Sequence, residues 1–233
     1  MPRPGGYSWA MTEPAAKPES ETETPLFDDA FRTRLEDLFR WRRDVRRFLP
    51  DPVPDDIIDG LIGLAALAPS VGNSQPWRFV KVADPGRRAR VIENFKACNA
   101  DALAEYGGEQ AKRYASLKLA GLREAPVHLA VFADTETETG HGLGQKTMPE
   151  MLHYSVVGAV NTLWLAARAR GLGMGWVSIL DPGKIATILE VPAAWPLIAY
   201  LCVGYPEEEH LEPELARAGW QKRLDVSGFV IER

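Results

Sequence analysis

The sequence predicts one globular domain in which α-helices and β-strands are mixed. Its 233 residues, 45% of them hydrophobic, can fill the core of one large domain or two small ones, and we expect one. Four short segments have the apolar or alternating pattern of β-strands, and helical patterns separate them. The longest helical pattern, from Pro149 to about Arg170, would be about 30 Å long and could pass through the middle of the domain.

The first part of the chain is predicted to be a tail followed by two helices. Residues 1 to 24 are rich in Pro, Glu, Thr and Ser, with too little apolar surface to offset the entropy of ordering. We therefore expect a disordered tail there and a single domain over residues 25 to 233. Apolar residues near helical spacing predict helices from Leu26 to Trp41 and from Ile57 to Leu67, and Pro69 stops the second one.

Strands and further helices fill the rest of the chain. The region from Pro85 to Arg123 is helical but weakly amphipathic, and Gly107-Gly108 divides it, which favours a partly exposed flap. After Pro206 the chain is polar until Phe229-Val230-Ile231, an apolar end that could add a strand to a neighbouring subunit. Strands are predicted at Trp77 to Val82, Val127 to Ala133, Met174 to Leu180 and Leu197 to Gly204, with a short helix from Asp181 to Leu189.

Charge and cysteine content narrow the classes of partner. The net charge of −5 and the pI near 5.5 argue against nucleic acid, because the chain outside one arginine cluster is acidic. No apolar run reaches the roughly 18 residues needed to cross a bilayer, so no membrane partner is predicted. Cys98 and Cys202 have no metal or redox spacing, and the histidines have no ligand spacing. We expect a cytoplasmic protein without a metal site.

Five arginines between Arg40 and Arg47 form the most distinctive segment. Planar guanidinium groups match phosphate oxygens, which favours a small phosphorylated anion as the ligand. In an extended segment Arg42, Asp44 and Arg46 would share one face, so that two arginines flank a carboxylate. The alternative is a solvated basic turn in which Asp44 neutralises its neighbours.

Three further polar residues are candidates for a site. Ser70 and Asn73 lie in a loop of turn-forming residues that ends at Pro76. Ser178 follows glycines and apolar residues in a predicted strand, where its hydroxyl needs a hydrogen-bond partner. A backbone partner and a role in a site both remain open for Ser178. Trp164, on the longest helix, is predicted to be a core residue.

Three motifs in this order resemble the flavin-dependent nitroreductase family. They are Arg42-Arg43-x-Val45-Arg46-x-Phe48, then Ala68-Pro69-Ser70-x-x-Asn73-x-Gln75-Pro76-Trp77-Arg78-Phe79, then Gly173-Met174-Gly175-Trp176. The resemblance covers about Leu26 to Arg223. It implies an α+β fold with a central, mostly antiparallel sheet flanked by helices, and a homodimer that binds FMN at its interface. Asp44 stands where most members carry Ser, and this departure points to a branch that destroys the flavin.

The resemblance to that branch implies a specific reaction. Its members use molecular oxygen to fragment reduced FMN to 5,6-dimethylbenzimidazole, the lower ligand of cobalamin, together with erythrose 4-phosphate and a pyrimidine-derived fragment. Reduced FMN would then be a substrate, supplied by a separate flavin reductase. The implied FMN-binding residues are Arg42, Arg43, Asp44, Val45, Arg46, Ser70, Asn73, Leu117, Ser178 and Arg223.

Within this set the resemblance also implies roles. Arg42 and Arg46 would hold the ribityl phosphate, with a further contact from Arg223. Asp44 would accept or donate a proton while the ribityl carbon bonds break, and Ser178 would orient the reacting groups. Residues 95 to 120 would fold over the flavin as a helical lid, and residues 206 to 233 would form a C-terminal arm.

Two other functions remain open at this point. One is an ordinary NAD(P)H-dependent nitroreductase that reuses FMN as a cofactor, and the other is a flavin-binding protein without catalytic activity. Asp44 and the expected lid count against the first. Asp44 also counts against the second, because binding alone gains nothing from a carboxylate beside an anionic flavin.

Overall fold

The computed structural model describes residues 25–233, and the tail predicted for residues 1 to 24 lies outside them. Within these residues the chain divides between Leu35 and Glu36 into two units. Helix α1 (Asp29–Trp41) begins in the first unit, where the Asp28 carboxylate accepts a hydrogen bond from the N–H of Phe31 at 2.7 Å. This contact satisfies one of the free N–H groups at the start of a helix. The single domain over residues 25 to 233 stays a prediction.

The second unit is built on a four-stranded antiparallel sheet. Its strands are β1 (Trp77–Lys81), β2 (Val127–Ala133), β3 (Gly173–Val177) and β4 (Leu197–Gly204). Their order across the sheet is β1-β2-β4-β3, and every neighbouring pair is antiparallel. Strand β3 therefore lies at one edge of the sheet. The predicted α+β class with an antiparallel sheet is confirmed.

The helices of this unit differ from the predicted ones mainly at their ends. They are α2 (Asp55–Ala65), α3 (Pro85–Ala104), α4 (Gly108–Ser116), α5 (Met151–Ala169), α6 (Pro182–Leu189) and α7 (Glu214–Arg217). The helical region predicted to reach Arg123 ends at Ser116. The predicted strand from Met174 to Leu180 ends at Val177, the last residue paired with β4. Asp181 accepts a hydrogen bond from the N–H of Lys184 and caps α6.

Helices cover both faces of the sheet. On one face, α5 packs Val156, Val160 and Leu163 against strand residues that include Leu129 and Leu201. On the other face, α3 and α6 pack against the alternate strand residues, among them Phe132 and Tyr200. Because both faces are buried, β2 and β4 are almost continuously apolar, which is how the sequence revealed them.

His128 on β2 is a buried titratable group in the second core layer. It is 1% exposed, and its Nδ1 lies 2.9 Å from the hydroxyl of Tyr200. Burial lowers its pKa from 6.5 to about 4, and the charge of Arg88 acts in the same direction. Since the folded-state pKa lies below the unfolded value, protonation favours the unfolded chain. The contribution of neutral His128 to stability is complete above pH 6.5 and is lost as the pH falls to about 4.

A His128→Gln variant should lose this part of the pH dependence. Its amide can still face the Tyr200 hydroxyl, but it does not titrate. Between pH 7 and pH 4, we expect the free energy of unfolding of the parent protein to fall by up to about 3 kcal/mol more than that of the variant. Urea unfolding of both proteins at several pH values measures the difference. Parallel pH curves would contradict the assignment.

Candidate active site

The arginine segment runs beside the edge strand β3. The N–H of Val45 donates to the carbonyl of Met174 at 3.0 Å, and Asp44 forms a parallel bridge with the same residue. Gly175 makes this approach possible, because a Cβ there would overlap the carbonyl oxygen of Val45. The motif glycine thus allows the segment to lie directly against the strand.

The Asp44 carboxylate is fixed by two hydrogen bonds. Its Oδ1 accepts from the N–H of Trp176 at 3.0 Å, and its Oδ2 accepts from Nε of Arg46 at 2.8 Å. The Asp44 side chain is still 32% exposed. A carboxylate that is held in place and remains accessible can take part in proton transfer to a bound ligand.

Arg46 connects Asp44 to the segment that follows α4. Its side chain is 12% exposed, and its Nη1 donates to the carbonyl of Lys118 at 2.9 Å. Two of its three nitrogens are therefore engaged within the protein. The sequence predicted that Arg42 and Arg46 flank Asp44, and the structure shows Arg46 bonded to it.

Arg42, Arg43 and Arg223 concentrate positive charge next to this carboxylate. The guanidinium of Arg42 lies 4.8 Å from the ring centroid of Trp164, and Nε of Arg43 donates to the carbonyl of Leu211 at 2.7 Å. Burial lowers the pKa of Arg42, Asp44 opposes this effect, and the charge of Arg223 adds to it. Burial and the charge of Arg223 also lower the pKa of Arg43. A bound anion would relieve this repulsion, so the cluster fits a phosphate group.

Arg47 differs from Arg42, Arg43 and Arg46 because carboxylates of the C-terminal arm pair with it. Its Nη1 lies 2.6 Å from Oε1 of Glu214 and 3.5 Å from Oε1 of Glu208. The hydrogen bond that Arg47 donates to Glu214 is the main reason that the pKa of Arg47 is raised. Arg47 therefore attaches the start of the C-terminal arm to the arginine segment.

Ser70 and Asn73 lie at a distance from the arginines of the same chain. The Oγ of Ser70 accepts from the N–H of Gln75 at 3.1 Å, and the neighbouring N–H of Val71 donates to Oγ of Ser155 on α5 at 3.0 Å. Trp164, which contacts Arg42, follows on α5 roughly 13 Å further along the helix axis. The candidate flavin ligands thus form two groups, one that contacts α5 near Ser155 and one that contacts it near Trp164.

Ser178 follows β3 directly and is exposed. It comes two residues after Trp176, whose N–H binds Asp44, so both positions lie on the same side of the chain. Within residues 25–233, the Ser178 hydroxyl has no hydrogen-bond partner. The backbone partner that the sequence left open is not observed there.

Helices α3 and α4 form the helical flap, and a cavity of about 380 Å³ lies between this flap and the segment after α4. Leu117 lines it together with Ile92, Phe95 and Leu122, and Lys118 lies at its wall. Since the Lys118 carbonyl binds Arg46, the cavity adjoins the group that holds Asp44. The role of residues 95 to 120 as a lid stays a prediction.

Sequence reasoning missed two features of the site. Trp164 was expected in the core, yet it is only half-buried: its ring packs on the core and lies under Arg42, while its Nε1 donates to the carbonyl of Arg43 at 3.2 Å. The bond from Arg46 to the Lys118 carbonyl was also missed. Neither feature has a signal in the local spacing, because both depend on how distant segments pack.

Neither a metal site nor a membrane span is found in the described part of the chain. Across residues 25–233, no group of three or more His, Cys, Asp or Glu side chains could hold a metal ion. No helix in that range is long and apolar enough to cross a membrane.

Comparison with known proteins gives consistent matches. Residues 39–205 match the family described as the nitroreductase family. A 5,6-dimethylbenzimidazole synthase of Rhodospirillum rubrum is 60% identical over 199 residues, which cover 85% of this chain and 94% of the relative. A 5,6-dimethylbenzimidazole synthase of Rhodobacter capsulatus is 48% identical over 198 residues, with coverage of 85% and 96%.

Solved structures share the fold. Oxidized iodotyrosine deiodinase, bound to FMN and 3-iodo-L-tyrosine, is 27% identical with a TM-score of 0.64, and the match covers 76% of this chain and 91% of that chain. A putative nitroreductase of Desulfovibrio desulfuricans in complex with FMN is 21% identical with a TM-score of 0.61 and coverage of 85% and 96%.

Proposed function

Because the chain belongs to the nitroreductase family, we propose that it is an enzyme that fragments reduced FMN with molecular oxygen. The products would be 5,6-dimethylbenzimidazole, erythrose 4-phosphate and a pyrimidine-derived fragment. The observation that carries this proposal is the Asp44 carboxylate, which is held by Trp176 and Arg46 where most family members carry Ser. The names of the relatives at 60% and 48% identity support the same reaction.

The phosphate of FMN would bind to Arg42, Arg43 and Arg223. These three arginines carry mutually repelling charges, and a phosphate dianion would neutralise them. Arg46 already binds the Asp44 carboxylate through Nε and the Lys118 carbonyl through Nη1. We therefore assign Arg46 mainly to the orientation of Asp44, with one remaining nitrogen available to the flavin.

Reduced FMN would supply the electrons that oxygen accepts, and the protein would supply position and protons. Asp44 would accept or donate a proton at the ribityl chain while its carbon bonds break. Ser178 would donate a hydrogen bond from its exposed hydroxyl to the flavin or to the reacting oxygen. The helical flap would close over the flavin and exclude both water and a nicotinamide.

The active enzyme would be a homodimer that receives reduced FMN from a separate flavin reductase. The loop of Ser70 and Asn73 contacts α5 at Ser155, too far from Trp164 and Arg42 for these residues to join the arginines of their own chain at one end of a flavin. Ser70 of the partner subunit and Asn73 of the partner subunit would instead complete each site. The free cysteines Cys98 and Cys202 are compatible with the reducing cytoplasm as the location.

Subunit mixing tests the shared site. Asp44→Asn removes the carboxylate, and Asn73→Gly removes the amide while glycine tolerates the φ of 54° at that position. Each variant alone should make little product. Refolded as a mixture, half of the dimers would contain one chain of each kind and one intact site, which restores about a quarter of the parent activity. No recovery in a mixture that does form mixed dimers would contradict a shared site.

The reaction itself is tested with flavin as the limiting reagent. Purified protein in excess is mixed with chemically reduced FMN, oxygen is admitted, and 5,6-dimethylbenzimidazole is measured by mass spectrometry while the flavin absorbance is followed. We expect the benzimidazole to form and oxidised FMN to return only in part. Full return of oxidised FMN without benzimidazole would overturn the proposal, and NAD(P)H-driven reduction of nitroaromatics would then be assayed.

A further inference from the structure

One aromatic cluster joins the C-terminal arm to the helical flap. Tyr106, between α3 and α4, stacks on Tyr114 of α4 with ring centroids 4.9 Å apart. The ring of Trp220, from the arm, meets these two rings at 5.6 Å and 6.1 Å in edge-on geometry. Nearby, Nη1 of Arg113 donates to the carbonyl of Gly219 at 2.8 Å. Trp220 therefore sits against rings from the flap itself.

Trp220 is also the last residue of the arm that is partly buried. The start of the arm is attached through Arg47 and Glu214, and Trp220 is half-buried. Every residue after Trp220, from 221 to 233, is exposed. Arg223 lies only three positions further along, so its place beside Arg42 depends on where Trp220 is held.

The charges indicate that Arg223 does reach the arginine cluster. Burial is the largest cause of the lowered pKa of Arg42 and Arg43, and the positive charge of Arg223 contributes in both cases. An uncompensated approach of three cations is unfavourable without an anion between them. Aromatic packing by Trp220 on Tyr106 and Tyr114 opposes this repulsion.

We propose that Trp220 is a positioning residue that couples closure of the helical flap to recognition of the flavin phosphate. It holds Arg223 beside Arg42 and Arg43 while its ring is seated on Tyr106 and Tyr114. Binding of the phosphate to Arg223 then favours the conformation in which Trp220 packs on the flap. This conformation in turn strengthens phosphate binding by the same factor. This coupling favours the binding of FMN over that of riboflavin, which lacks the phosphate. This inference rests on the proposed binding of FMN at the arginine cluster.

The first test is a double-mutant cycle on flavin affinity. FMN and riboflavin are titrated into the full-length apoprotein, and the ratio of their dissociation constants is the readout. Arg223→Ala should reduce the preference for FMN about tenfold, the value of one hydrogen bond to a charged group. Trp220→Ala should reduce it similarly, and the double variant should lose no more than either single variant.

Three further variants separate positioning from general damage. Trp220→Phe keeps a ring on the tyrosines and should keep most of the preference for FMN. Tyr106→Ala removes the other side of the contact and should act like Trp220→Ala, so the test does not depend on one substitution that folds poorly. Leu224→Ala changes an exposed arm residue and should leave the ratio of the two constants unchanged.

The second test reads the flap directly. Lys112 is an exposed trypsin site in α4. In the parent protein, FMN should slow cleavage there and riboflavin should not. In Trp220→Ala, saturating FMN should no longer slow cleavage. If Trp220 had a purely structural role, Trp220→Ala would raise the cleavage rate by the same factor with and without FMN, so FMN would still slow cleavage. That result would overturn the inference.

The outcomes also distinguish this inference from its premise. If the parent protein binds FMN and riboflavin equally, the arginine cluster does not bind phosphate, and the proposed site falls together with the inference. If the parent protein prefers FMN but Trp220→Ala keeps the full preference, the inference is wrong and the proposed function stands. Additive losses in the double variant would also refute the coupling.

Discussion

Asp44→Asn should lower the yield of 5,6-dimethylbenzimidazole at least about a hundredfold, because a positioned proton-transfer group contributes about 100- to 10,000-fold to a reaction rate. FMN should still bind, since the cluster of Arg42, Arg43 and Arg223 stays in place. The product is measured by mass spectrometry after a single addition of reduced FMN and oxygen. FMN affinity is measured by titration of the same preparation. Product formation at the parent level would remove Asp44 from catalysis.

The contacts of Asp44 determine the right controls. Asn keeps an oxygen for the N–H of Trp176, but its amide nitrogen would face Nε of Arg46, and two donors then oppose each other. Arg46→Lys loses the same hydrogen bond while it keeps the charge and the carboxylate. We expect Arg46→Lys to reduce the yield less than Asp44→Asn does. An equal loss would mean that Asp44 acts through the geometry of Arg46 and not through its own proton.

Gly175→Ala should destabilise the protein and abolish FMN binding together. A Cβ at this position would overlap the carbonyl oxygen of Val45, and a backbone atom cannot move aside as a flexible side chain can. The arginine segment would have to leave β3, so Asp44 and Arg42 would lose their positions. Overpacking of this kind costs about 1–3 kcal/mol of unfolding free energy, and occasionally more. Urea unfolding and FMN titration measure the two effects.

Gly60→Ala is the matched control for this substitution. Gly60 lies inside α2, where an added Cβ has nothing within 4 Å. The change should raise the free energy of unfolding by about 0.5–1 kcal/mol, because glycine is a poor helix former. FMN binding should not change. Normal FMN affinity in Gly175→Ala would show that the arginine segment does not need its contact with β3.

The sequence allowed accurate prediction wherever local pattern and burial agree. Strands β2 and β4 have the predicted bounds, because both are buried on two faces and their apolar runs end at polar or turn residues. The arginine motif and Asp44 were identified before any contact was known. The long helix was predicted for the same reason, although it begins at Met151 and not at Pro149.

What the sequence could not predict depends on distant contacts. The alternation of Arg42, Asp44 and Arg46 predicted a shared face, but it could not show that Arg46 bends back to bind Asp44 and the Lys118 carbonyl. The end of β3 at Val177 is set by where its pairing with β4 stops, at Tyr200. The seat of Trp220 on two tyrosines joins residues more than 100 positions apart, and no local period signals it.

The contact of the arginine segment with β3 has a consequence for solubility. Strand β3 is at the edge of the sheet, and the arginine segment bonds to the side of β3 that has no neighbouring strand. The Met174 carbonyl accepts from the N–H of Val45, and the N–H of Trp176 donates to the Asp44 carboxylate. An uncovered edge strand is a template for pairing with other chains. Variants that release the segment should therefore aggregate as well as lose the ligand. The residues that would bind the flavin also protect the sheet from self-association.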